Sequence, residues 1–252
     1  MDKTMNPGLK HSAFIMLLIL FLSSAGNVLA GQNPKTNGEA MELHHLQMTF
    51  LNHGLGMAVA GSNLMMLAEL SRTPEVDSIL KHHGLTSLEK GKELIQRALH
   101  GPEMMALHEE GHSKASPQTM AYVHSLGKAM LAYVELLEHM HAAHASDPEH
   151  IRALHHMHMG LNHALGMAER GSNLILLGEM GMEPAEDIVD INDGQLMIAN
   201  ATKLWKKLFG QPMKQLMVGK EGPEETKVMA RTHAIGKAGA KILSLLASRP
   251  HD

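Results

Sequence analysis

The sequence contains no cysteine, and its 252 residues include 4 Phe, 2 Tyr and 1 Trp. The first absence excludes disulfides, thiolate metal sites, iron–sulfur clusters, covalently attached haem and the lipid anchor of a bacterial lipoprotein. The second leaves Leu, Ala and Met to fill the interior, and no stretch shows convincing strand alternation. Both point to helices packed on helices. A basic footprint for nucleic acid is also missing, since 22 Lys and Arg stand against 26 Asp and Glu, a net charge of −4 with His neutral. Neither a Gly-rich phosphate loop nor a Gly-x-Ser-x-Gly nucleophile elbow occurs. Residues 14–22 form an unbroken apolar run, shorter than the roughly 20 residues that span a bilayer.

With Lys3 and Lys10 before it and Val28, Leu29 and Ala30 after it, that run reads as an export signal. Residues 1–30 are expected to be a signal peptide and 31–39 a polar tether. The mature chain is then periplasmic or secreted, with no stable membrane span once the signal is cleaved.

What the chain has in abundance is 22 Met and 20 His. Protonating some of those imidazoles reverses the sign of the net charge, so the surface is pH-sensitive below about pH 6.5.

The chain also repeats itself. Residues 51–70 return as 161–180 with 13 of 20 positions identical, including Leu51, Asn52, His53, Gly56, Met57, Gly61, Ser62, Asn63 and Glu69. This is the mark of a tandem duplication with a unit of about 110 residues, a common domain size. The expected fold is all-α, two four-helix-bundle-like units spanning 40–146 and 147–248, then a short tail at 249–252. In the first unit the pattern gives a long helix over 40–72 and a short one from Thr73–Pro74 to Gly84. A third follows from a Thr86-x-x-Glu89 capping box to Gly101, and a long last helix runs from Pro117 towards Ala145. The second unit restarts at Asp147–Pro148, and beyond the third helices its register falls back to an offset of 109, pairing His124 with His233.

Helical spacing places His53 beside Met57 and His163 beside Met167 on the first helix of each unit. On the last helices Met120 stands beside His124 and Met229 beside His233. If the first and last helices of a unit are antiparallel neighbours, each unit gains a set of two His and two Met. Imidazole with thioether suits soft and borderline metals, copper and Cu(I) above all, and not magnesium or calcium. The same side chains are workable axial ligands for non-covalent haem b. Ordinary core packing competes with both, because Met at this spacing is common filler. The recurring Asn52/Asn162, Asn63/Asn173, Ser62/Ser172 and Glu69/Glu179 either orient the imidazoles or form a polar network that sets helix register, the second being favoured. The repeated Gly56, Gly61, Gly166 and Gly171 point to close helix approach.

A denser signal lies between the units, where residues 139–163 hold eight His and three Met. His139, His141, His144, His155, His156, His158, Met159 and His163 are its principal members. His141/His144 and His155/His158 are three apart and His155/Met159 four apart, so each pair offers two donors from one helix face. His44, His45 and Met48 form a thinner version in the first unit.

Two catalytic readings fare worse. His108-Glu109-Glu110-Gly111-His112 matches the zinc-peptidase pattern, but a glycine interrupts the helix that pattern needs. Glu42, Glu109 and Glu138 each precede a His by three, as in di-iron bundles, but the second unit has no echo of them. The expected function is therefore not an enzyme but an exported His/Met-rich helical protein that binds transition metal, copper first, for buffering, delivery or sensing. The alternatives are a haem-binding electron carrier and a metal-free structural or chaperone-like interaction module. The partners are metal ions and, in a delivery role, another exported protein.

Overall fold

The computed structural model describes residues 37–71, 73–102, 105, 117–140, 148–181, 183–210 and 223–250. Every element among them is helical: α1 (Asn37–Leu70), α2 (Pro74–His100), α3 (Pro117–Met140), α4 (Pro148–Glu179), α5 (Pro184–Phe209) and α6 (Pro223–Ala247). Five of these six begin on proline, whose missing N–H is harmless in the first turn and whose ring presets a helical φ. At the C-terminal ends, the Gly101 amide donates to the Arg97 carbonyl at 2.6 Å behind α2. Gly181, with φ at +66°, takes the chain out of α4 in a conformation that side chains other than glycine resist. Among the described residues, no helix is long and apolar enough to cross a membrane.

Each half of the described chain has three long helices where the sequence suggested four. Gly84 does not end a helix; α2 runs through it, and α5 runs through Gly194 in the same way. Thr86 is no N-cap either, since its hydroxyl donates to the His82 carbonyl at 2.9 Å from inside the helix. A glycine in mid-helix costs roughly 1 kcal/mol, and packing supplies the offset. A Cβ on Gly61 would lie 2.5 Å from the Gly84 carbonyl oxygen, and one on Gly171 2.6 Å from that of Gly194. These glycines let α1 touch α2 and α4 touch α5 backbone to backbone. The close approach expected of Gly61 and Gly171 is thus present, whereas a Cβ on Gly166 would meet nothing within 4 Å.

The contacts also set the helix directions. Gly54 meets Gly91 and Gly61 meets Gly84, so α1 and α2 are antiparallel; Leu99 covers Gly127 while Lys92 reaches Glu138, so α2 and α3 are antiparallel too. Hence α1 and α3 run parallel. In the second half Trp205 covers Gly239 and Phe209 covers Gly236, which makes α4 and α6 parallel by the same logic. The halves join through α1 on α4 and α3 on α6, while α2 and α5 pack mainly on their own halves. The centre is therefore a four-helix bundle contributed equally by both halves, with α2 and α5 as outer buttresses. One continuous apolar core fills it, with Met48, Leu55, Leu126, Met130, Leu161 and Ile242 fully or almost fully buried.

Candidate functional site

A buried polar seam runs along α1 and α4 through that apolar core. The Asn52 amide donates to Ser172 Oγ at 2.9 Å and to Asn173 Oδ1 at 2.8 Å. The Asn162 amide donates to Asn63 Oδ1 at 2.9 Å. Beyond them His155 Nε2 sits 2.6 Å from Glu69 Oε2, and His45 Nε2 sits 3.5 Å from Glu179 Oε2. Residues 45, 52, 63 and 69 of α1 thus meet 179, 173, 162 and 155 of α4, an antiparallel pairing. Adding 110 to one partner and subtracting it from the other turns each contact into its twin, so the seam is twofold in its chemistry. The Asn and Ser positions form the register-setting network favoured from the sequence. Glu69 and Glu179 do orient imidazoles, but those of His155 and His45, not of His53 and His163.

The twofold is broken at three places. Tyr133 on α3 donates its hydroxyl to Asn162 Oδ1 at 2.7 Å. The position paired with it, in the register that pairs His124 with His233, is the apolar Ile242, and Asn52 Oδ1 is buried without a hydrogen-bond partner. Glu169, whose counterpart is Val59, accepts from the Asn173 amide at 2.6 Å. Burial pushes its carboxyl above the usual range, against the opposing effects of Asn173 and Arg170. Third, Arg249 Nη2 donates to Glu179 Oε2 at 2.5 Å, whereas its counterpart is Met140, a core side chain. Nearby, burial pushes the Tyr122 phenol up to about 12, so it stays neutral and keeps its proton. Neither Tyr122 Oη nor Arg249 Nη1 has a hydrogen-bond partner.

The two-His, two-Met set expected inside each half does not assemble, because it required antiparallel first and last helices. Leu51 meets Gly127 where the parallel α1 and α3 touch. Met57 lies about 9 Å further along α1 and Met120 about 10 Å back along α3, at about 1.5 Å of rise per residue. One ion cannot take both sulfurs. His53, Met57, Met120 and His124 are half-buried, as is Met167, while His163 is exposed. Met229 is buried, and the exposed His233 has its ring 5.6 Å from that of Phe209.

The denser cluster divides by exposure. His139 and His156 face solvent, whereas His155 and His158 are 8% and 3% exposed and Met159 is half-buried against the core. His141 and His144 lie outside the described residues, as does the 108–112 zinc-peptidase pattern. Glu138, one of the di-iron candidates, instead holds Lys92 at 2.7 Å. Among the described residues, no group of three or more His, Asp or Glu is placed to hold a metal ion.

His155 carries the most specific chemistry. With Nε2 donating to Glu69, the neutral imidazole has its lone pair on Nδ1, and that atom is buried with no hydrogen-bond partner. A buried Lewis base held rigid by a carboxylate is the arrangement that metal-ligating histidines use. His158 and Met159, three and four residues on, share its helix face. Sequence reasoning singled out these three and offered Glu69 as an orienting group, but missed that its imidazole is that of His155 and missed Arg249 altogether. The signal for Glu69 was present: His45/His155 and Glu69/Glu179 are both spaced by 110.

Comparison with family models, curated proteins and solved structures finds no match for this chain.

Proposed function

We propose that this chain is an exported, duplicated helical protein that binds a transition metal, copper first, for buffering, delivery or sensing, and catalyses no reaction. The observation that carries this reading is the buried, unpartnered Nδ1 of His155 above a carboxylate that fixes the ring. His158 supplies a second imidazole and Met159 a thioether. Two nitrogens and one sulfur suit Cu(I), which accepts low coordination numbers and soft donors. The exposed His139 and His156 add weaker, solvent-facing sites appropriate to buffering. The duplication of a 110-residue unit is supported by the sequence identity and by the paired contacts of the seam. Export is supported by the basic and apolar pattern of residues 1–30.

The test is metal retention. Purified protein titrated with Cu(I), Cu(II) and Zn(II) and then dialysed retains at least one copper per chain, lost when His155→Ala and His158→Ala are combined. Retention of no metal by the unmutated protein sinks the reading. Retention that survives the double substitution moves the site elsewhere.

A further inference from the structure

The outer faces of α2 and α5 hold equivalent places in the two halves but differ in kind. We propose that the outer face of α5 is an interface at which two copies of this chain associate, their α5 helices antiparallel. The inference does not depend on the metal-binding reading.

The buried side of α5 carries Gly194, Ile198, Ala201 and Trp205, which match Gly84, Leu88, Gly91 and Ile95 of α2 at an offset of 110. At about 100° per residue, the opposite side carries Ala185, Val189, Asn192, Leu196, Ala199 and Lys203. All six are exposed. Their spacing alternates four and three, the pattern of a seam along which one helix packs on another. Val189 and Leu196 are 55% and 57% exposed, and Ile188 beside them is 63%. The equivalent stripe of α2 reads Glu75, Ile79, His82, Thr86, Glu89 and Glu93, an ordinary solvated face. Val76 and Leu85 of α2 are exposed too, but nine residues apart they lie on opposite sides of the helix. The duplication thus supplies its own control. One half keeps polar side chains where the other has an apolar stripe.

Charge identifies the occupant. Within α5 every acid precedes every base: Glu186, Asp187, Asp190 and Asp193 come first, then Lys203, Lys206 and Lys207. On α2 the signs are interspersed and pair locally, Asp77 with Lys81 and Lys90 with Glu93. The helix dipole favours acids early and bases late only within the first and last turns. Asp190, Asp193 and Lys203 lie inside those turns, so the dipole does not account for them. A second α5 laid antiparallel sets the acidic half of each helix on the basic half of the other. A parallel one would set like on like. With Ala185 opposite Lys203 of the other copy, that lysine comes beside Glu186, Val189 meets Ala199 and Asn192 meets Leu196. The two alanines let the helices approach closely. Because each copy uses the same face, the association closes as a twofold dimer and does not propagate.

Sedimentation velocity of the purified protein in EDTA, over a concentration series, tests this. The unmutated protein forms a reversible dimer. Leu196→Glu is monomeric at every concentration, whereas Ile79→Glu, on the equivalent face of α2, dimerises as before. Glu186→Lys and Lys203→Glu each raise the dissociation constant by about tenfold or more, since the twofold counts each reversed pair twice. The two reversals combined in one chain restore it. All four positions are exposed, and far-ultraviolet circular dichroism establishes that each variant keeps its helices. A monomer throughout overturns the inference, and so does a dimer that survives Leu196→Glu. Single reversals without effect, or a combination that fails to restore the dimer, overturn the antiparallel pairing and the inference with it.

Discussion

His155 and Glu69 meet at 2.6 Å across the two halves, while their counterparts His45 and Glu179 stand 3.5 Å apart. At the second end Arg249 shares the carboxylate. Between these ends the Asn ladder holds α1 and α4 in register inside an otherwise apolar bundle. Such a seam contributes specificity more than net stability, because each buried amide must recover what it loses on leaving water. A one-turn slip of α4 along α1 would separate all of these contacts at once.

Tyr133→Phe measures that cost directly. The substitution removes only the hydroxyl that caps Asn162 Oδ1 and leaves a buried carbonyl without a donor. Urea unfolding should show a loss of about 1–3 kcal/mol. The bundle already carries one such orphan at Asn52 Oδ1. If the loss is instead negligible, water reaches the seam and it is not the dry network described above.

Gly84→Ala tests why the helices run on through glycine. By propensity alone alanine gains roughly 1 kcal/mol in a helix interior. Its Cβ, however, would lie 2.8 Å from the Gly61 carbonyl oxygen and 3.0 Å from the Met65 amide nitrogen. Overpacking of this kind costs about 1–3 kcal/mol, so the variant should unfold at lower denaturant concentration. A stabilised variant would show that α1 and α2 have room to part.

Glycine is also where the fold was least legible from the sequence. The starts of the helices were marked by proline at positions 74, 117 and 148, and these marks were reliable because proline acts through its own φ. Gly84 looked like a stop because a glycine's local cost is visible, while the partner that offsets it, Gly61, lies on another helix. The same limit undid the His53–Met57–Met120–His124 set. Spacing within a helix fixes which residues are neighbours on that helix, but the direction of the next helix depends on how many helices intervene. His155, His158 and Met159 were legible because all three sit on one face of one helix.

Glu169→Gln isolates a pH effect with a definite sign. The Glu169 carboxyl is raised above its ordinary value, chiefly by burial. A carboxyl raised in the folded state binds its proton more tightly there than in the unfolded chain, so its contribution is complete at pH below the ordinary carboxylate value. It is lost as pH rises through the raised one. Glutamine keeps an oxygen for the Asn173 amide and removes the charge. The variant should therefore be more stable than the unmutated protein at pH 7, with the gain fading in urea titrations as pH falls through the carboxylate range. A gain that grows towards acid pH would reverse the assignment.

Glu69→Gln separates the orienting carboxylate from the ligands. If His155 binds metal through Nδ1, Glu69 acts by holding the proton on Nε2 and the ring in place, and the amide does this less well. Loss of such a partner typically weakens metal binding by about 10–100-fold. Competition for Cu(I) against bicinchoninate should show that loss in Glu69→Gln and none in Glu179→Gln, because the carboxylate at that end serves Arg249 and His45 and touches no bound ion. The pairing of the two variants matters, since both remove a half-buried charge from the same seam and both disturb the helix pair to a similar degree. Equal weakening in both would mean that the copper senses the bundle as a whole. Weakening confined to Glu69→Gln ties it to the ring of His155.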